Sequence, residues 1–458
     1  MNAVYILSGL GIFSLLAEIF NFRKILFPVV LIGLIASAFL LILDWNTTES
    51  YYSNMLTFDN YAVAFSAGIS VIAVLWFMMS KDYFENNTHV TDHFALVLFS
   101  LVGAVFMVSY SNLSMLFLGI EILSISLYIL AGSKMNDLFS NEASFKYFLM
   151  GSFATGFLLF GIALVYGVTG SFDLQKIAEV IASGNAEFSS LLYAGILLMM
   201  VGLAFKISAV PFHFWAPDVY EGSPTVVTAF MSTIVKMAAF AGFYRLFSTS
   251  FASVSEQWVD VVQVIAMLTI VVANVTAVYQ NSVKRMLAFS SVAHAGYMLI
   301  ALVALNNISD SAILYYILAY ATGSIAAFAV LHNVALLNEN ASVETFNGLA
   351  KRSPFLAVAM TIALLSLAGI PPLAGFFAKY YIFTVAFQSG YVAIVLLAVV
   401  TSLIGVYYYF RIIIAMYLKS TDVLTPVTIP TLHYITIGIC LLASIILGVF
   451  PDLIIQLI

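Results

Sequence analysis

Apolar residues run through this chain in blocks of about twenty, not in the alternation of a half-buried strand. Polar breaks set the blocks off near 3–20, 25–43, 61–80, 94–110, 112–132, 143–168, 191–211, 224–247, 257–279, 286–305, 311–337, 355–388, 390–418 and 432–450. A helix rising 1.5 Å per residue crosses the roughly 30 Å hydrocarbon layer in blocks of this length. A transmembrane barrel would show ten-residue alternating segments, and these runs are longer and continuous. The pattern predicts an all-α polytopic membrane protein of about 14 transmembrane helices. Blocks 94–110 and 112–132 are parted only by Ser111 and Asn112, so their division rests on length. The stretch SFDLQKIAEVIASGNAEFSS (171–190) reads as a short amphipathic helix lying outside the spans. The opening MNAVYILSGLGIFSLLAEIF lacks a basic leader and a small-residue cleavage site, and is expected to stay as the first helix.

Composition strengthens this reading. Of 458 residues, 63% are hydrophobic and 8% charged, where a soluble domain carries about 25% charged residues. So few charges cannot clothe a water-facing surface, and no basic patch for nucleic acid is present. The formal charge of −6 says less than where the charges fall. The single cysteine, Cys440, gives no disulfide framework, paired-cysteine metal site or iron–sulfur ligand set. A P-loop and a dinucleotide fingerprint are also missing, so energy for any uphill transport must come from elsewhere.

Basic residues orient the chain. Odd-numbered loops carry nine: Arg23, Lys24, Lys81, Lys134, Lys284, Arg285, Lys351, Arg352 and Lys419. Even-numbered loops carry Lys176 and, at a helix end, Arg245. Odd loops are therefore expected in the cytoplasm and both termini on the opposite side.

The remaining charges carry the chemistry. Lys146 and Arg411 lie near helix ends and can snorkel. Lys206, Lys236 and Lys379 fall deeper in their blocks, with Glu121 in mid-helix and His294 in MLAFSSVAHAGYMLIAL. Each such charge costs about 2.5–3.5 kcal/mol at the bilayer centre, so four cost roughly 10 kcal/mol and must face one another or water. Glu121 reads either as half of a structural ion pair or as a titrating group. His294 reads either as a satisfied core histidine or as a relay member. Arginine keeps its charge at any accessible pH, whereas desolvated lysine can release a proton, so this set suits protons better than sodium. Glu142 and Lys146, four apart, read as a surface ion pair in preference to a proton entry. Asp218 and Glu221 fit entry groups or helix caps before Pro224, and His213 and His332 are open.

Two blocks contain helix breakers. Pro211 follows Lys206, whereas Gly369, Pro371, Pro372 and Gly375 precede Lys379. Broken backbone at membrane depth lines a cavity or packs against protein. The reversed order of lysine and break is what an inverted repeat produces. It divides the chain into helices 1–3 (1–93), a first five-helix repeat (94–247), a second (257–418) and a final helix (432–458).

The runs HFWAPDVYEGSPTVVTAFMSTIVKMAAF, GIEILSISLYIL, EASFKYFLMGS, VKRMLAFSSVAHAGYML and LAGIPPLAGFFAKYYIF resemble subunit N of bacterial respiratory complex I over roughly residues 100 to 390. That family has an antiporter-like fold of fourteen helices, inverted five-helix repeats and broken helices seven and twelve. The resemblance implies a proton-translocating subunit of NADH:quinone oxidoreductase in the bacterial inner membrane. It implies NADH, FMN, iron–sulfur clusters and quinone in partner subunits and no cofactor here, with subunits M and K as neighbours. Glu121 matches the fifth-helix carboxylate, Lys206 the seventh-helix lysine that pairs with it, and Lys236 the central eighth-helix lysine. Lys379 matches the twelfth-helix lysine, and His294 a link along the polar axis. The competing expectation is a subunit of a multi-subunit Na+/H+ antiporter on the same scaffold. A passive scaffold would gain nothing from the buried charges.

Overall fold

The computed structural model describes residues 1–85, 89–183, 190–338, 341–420 and 426–457. Among them, twelve helical stretches are long and apolar enough to cross a membrane. Two shorter apolar helices, Ser190–Lys206 and Pro354–Ala368, each lead into a break. The expected count of fourteen is reached only if both broken stretches are spans.

Some helices start where the sequence supplies a side-chain cap. The Asn112 side chain accepts from Ser114 N and so parts Val90–Ser109 from Leu113–Ala131. Asp137 opens Leu138–Thr169 by accepting from Phe139 N, and Ser282 opens Val283–Ala304 by accepting from Arg285 N. Gly103 and Gly119 let two helices meet backbone to backbone. A Cβ on Gly103 would lie 2.7 Å from Gly119 O, and one on Gly119 would lie 2.9 Å from Gly103 O.

Burial locates the centre of the bundle. The apolar windows of Thr225–Thr249 and Val283–Ala304 are 100% buried and that of Ser309–Ala335 is 94% buried. Those of Arg23–Leu43, Leu138–Thr169, Val392–Leu418 and Thr431–Val449 are only 33% buried and form the rim. The most enclosed helices are thus the ones that carry Lys236 and His294.

Among the described residues, three helical stretches are interrupted. Ser190–Lys206 stops at Lys206, with Ser208 at φ 59°, before helix Trp215–Gly222 resumes. Pro354–Ala368 stops at Gly369, φ 85°, and Ala374–Gln388 resumes after Pro371 and Pro372. The block 224–247 also bends, between Thr225–Ser232 and Ile234–Thr249. Thr233 Oγ1 donates to Ala229 O there at 2.6 Å, a back-bond that competes with the helix ladder. No Pro or Gly marks this bend in the sequence.

Two features outside the spans differ from the sequence pattern. The gap after the second block holds a hairpin, Glu49–Tyr51 paired antiparallel with Leu56–Phe58. The amphipathic helix covers only Leu174–Ala182, capped by Asp173; residues 184–189 of the expected stretch lie outside the described residues.

Candidate functional site

The two lysines beside the proline breaks are held alike. Lys206, 5% exposed, ends its helix, donates to Ser124 Oγ at 2.7 Å and stands 5.7 Å from the Tyr147 ring centre. Lys379, 8% exposed, lies past its break, donates to Ala368 O at 2.8 Å and stands 5.1 Å from the Tyr297 ring centre. The break frees carbonyls that an intact helix would use, and Lys379 takes one of them. Trp215, just past the first break, stacks on Tyr147 at 4.6 Å and donates to Phe205 O at 3.1 Å, fixing the Lys206 end.

Lys236 is the most enclosed of the three, at 1% exposed. It sits one turn after the Thr233 bend and donates to Ser291 O on the neighbouring helix. Three residues on, His294 bonds Tyr316 OH through Nδ1 at 2.7 Å and approaches Tyr409 OH through Nε2 at 3.4 Å. Tyr409 OH meets Ser290 Oγ at 2.5 Å, and Asn274 joins Tyr297 and Tyr408 at 3.1 Å each. Hydroxyl, imidazole and ammonium groups each carry an exchangeable proton, so the second half of the bundle holds a cluster of protic groups around His294.

Glu121 departs from the expected pairing. Among the described residues it makes no ion pair; its Oε1 is buried without a hydrogen-bond partner, and Lys206 has turned to Ser124 instead. Glu121 nevertheless lies one turn from Ser124, the residue that holds Lys206, on the same helix.

At the end of the bundle that carries Lys284 and Arg285, Lys146 pairs with Glu142 at 2.7 Å and Asp218 at 2.9 Å, and Arg285 pairs with Asp218 at 2.9 Å. The sequence pair thus belongs to a four-residue network. Ser282 Oγ donates to both oxygens of Glu221 at 2.9 Å. Lys284, counted with the loops, is buried and donates to Glu221 O and Ser223 O. His213 packs against Phe214 at 4.6 Å with Nδ1 buried and unpartnered.

Sequence reasoning missed two groups. The tyrosines around His294 sit in ILYYILAY and GVYYYF, and in apolar runs they pass for core. Asp82 brings together His332 and His433, each with Nε2 3.2 Å from a carboxylate oxygen, and His433 also meets Asn333. This cluster fastens the ends of three helices. The density of tyrosine was the signal for the first group; the second had none, since 250 residues part His332 from Asp82.

The family described as "NADH:quinone oxidoreductase/Mrp antiporter, TM" matches residues 110–405, which include Glu121, Lys206, Lys236, His294 and Lys379. The chain is 45% identical over its whole length to "NADH-quinone oxidoreductase subunit N" of Cytophaga hutchinsonii, covering 99% of that protein. It is 46% identical to the subunit of the same name in Flavobacterium psychrophilum, with each chain fully covered. Among solved structures it is similar to a chain of respiratory complex I from Thermus thermophilus with bound aureothin, at 32% identity and TM-score 0.85, covering 99% of this chain and 98% of that one. A chain of the Mrp complex from Dietzia has TM-score 0.88 over 99% of this chain and 95% of its own, at 20% identity, a likeness of fold alone.

Proposed function

The chain belongs to the subunit N family of NADH-quinone oxidoreductases, and from that premise we propose that it carries protons through the membrane arm of such a complex by way of Glu121, Lys206, Lys236, His294 and Lys379. The fold is the antiporter-like bundle that family shares with Mrp proteins. Other complex I subunits are its partners, with M and K as the neighbours that would flank it. NADH oxidation, FMN, iron–sulfur clusters and quinone belong to partner subunits in this reading. The complex lies in the inner membrane, with both termini of this chain in the periplasm. The repeats 94–247 and 257–418 supply one half-channel each.

The observation that carries the proposal is Lys236: 1% exposed and bonded across the bundle to Ser291 O, on the helix that carries His294 three residues on. A buried charge of this kind is costly, and a purely structural subunit gains nothing from it. Opening or closing the contact between Glu121 and Lys206 changes the field on Lys206, and its proton state then acts on Lys236 by Coulomb coupling. His294 and its tyrosines pass the effect to Lys379, with water bridging the longer gaps. Each charge moved against the membrane potential requires about 2.3 kcal/mol per 100 mV, which the redox partners supply. Lys206→Ala in an assembled complex is expected to abolish or sharply cut NADH-driven proton uptake by vesicles. An unchanged proton yield would discard the assignment.

A further inference from the structure

Lys206 has two acceptors to choose from on one helix. Glu121 and Ser124 stand three residues apart on Leu113–Ala131, so both face the same neighbour. Lys206 Nζ donates to Ser124 Oγ at 2.7 Å, while Glu121 Oε1 is buried and unpartnered. Ser124 gives its own hydrogen to Ile120 O, which turns its lone pairs toward the ammonium. Beside Ser124 and Lys206 lies a cavity of about 10 Å³ that Tyr128 and Thr155 also line, close to the least volume that holds a water. Gly151 keeps this space, because a Cβ there would lie 2.1 Å from the Tyr128 hydroxyl.

We propose that Ser124 is a positioning residue for the relay: its hydroxyl seats the Lys206 ammonium away from Glu121, so that the pair opens and closes between two acceptors one helical turn apart. The inference rests on the relay described under Proposed function and adds the second seat to it. A buried ammonium needs an acceptor in both states, since an unpaired one is far less stable. With only the carboxylate available, the closed pair would be the single low-energy arrangement, and opening would carry the full cost of stranding both charges. A neutral hydroxyl backed by a water-sized space brings the open arrangement within reach. It binds the ammonium more weakly than the carboxylate does, so the open seat does not become a trap.

The test compares parent, Ser124→Ala and Ser124→Thr as assembled complexes, in proteoliposomes for NADH-driven proton uptake and by structure determination for the Lys206 position. Ser124→Ala is expected to move Lys206 Nζ into ion-pair contact with Glu121 and to slow coupled uptake about tenfold, the rate equivalent of a lost hydrogen bond to a charged group. Ser124→Thr keeps a hydroxyl and is expected to restore both position and rate, which a packing role alone would not give. If the alanine variant does not assemble, Ser124→Cys, of like size but a weak acceptor, takes its place with the same expectation. Lys206 staying off Glu121, or parental uptake without the hydroxyl, overturns the proposal. Failure of the underlying relay would look different: Lys206→Ala itself would then leave uptake unchanged.

Discussion

Gly375→Ala places one methyl group where the second break has no room for it. A Cβ at Gly375 would lie 1.7 Å from Ser366 O, half of the 3.4 Å at which ordinary contact begins, and 2.6 Å from Ser366 C. Both atoms are backbone of Pro354–Ala368, so no flexible side chain can swing aside. The two half-helices must part by more than an ångström. Gly375 N also donates to Ser366 Oγ at 3.2 Å, and that contact would be lost. The Lys379 Nζ to Ala368 O bond, 2.8 Å long, spans the same junction and would stretch beyond hydrogen-bond range. Overpacking of this kind costs about 1–3 kcal/mol in stability, and a misplacement near 1 Å slows a positioned reaction by up to roughly 100-fold. NADH-driven proton uptake by vesicles, normalised to the assembled complex, is therefore expected to fall at least tenfold, an order-of-magnitude figure from the same positioning argument. Gly167→Ala is the control, since its Cβ would meet nothing within 4 Å; a helical glycine replaced by alanine gains about 1 kcal/mol. An assembled Gly375→Ala complex with parental uptake would refute the idea that the break positions Lys379.

His433→Phe keeps a ring but removes the nitrogens of a fully buried imidazole that meets Asp82 at 3.2 Å and Asn333 at 3.0 Å. The complex is expected to lose about 2–3 kcal/mol of stability, read as a lower temperature of dissociation; an unchanged temperature would remove the cluster's fastening role. Glu142→Gln should change stability by no more than about 0.5 kcal/mol, because the carboxylate is 58% exposed and Lys146 keeps Asp218 at 2.9 Å. Its proton uptake should stay parental, and a large fall would instead make Glu142 an entry group.

Features that cost energy in a bilayer were legible from the chain alone. Lys206, Lys236, Lys379 and Glu121 stand out because an apolar run tolerates no idle charge, and Pro211, Pro371 and Pro372 because a span tolerates no idle break. The Thr233 bend was hidden, since a threonine back-bond depends on a rotamer and leaves no mark in residue type. The partner of Lys206 was hidden for a related reason. Carboxylate and hydroxyl share one helix face, and spacing cannot say which of them the ammonium has chosen. The tyrosines around His294 escaped notice because a phenol buries as readily as a phenylalanine and shows its polarity only when a partner stands beside it. The hairpin at Glu49–Tyr51 and Leu56–Phe58 is too short for alternation to reveal.

The central claim is that buried ammonium groups hand protons through the middle of this bundle. Its most direct test is the number of protons moved per NADH oxidised in reconstituted complex bearing Lys236→Met, which keeps the bulk of the side chain and removes the charge that reaches Ser291 O. The relay predicts a lower ratio with the complex still assembled. A ratio equal to that of the parent would contradict it.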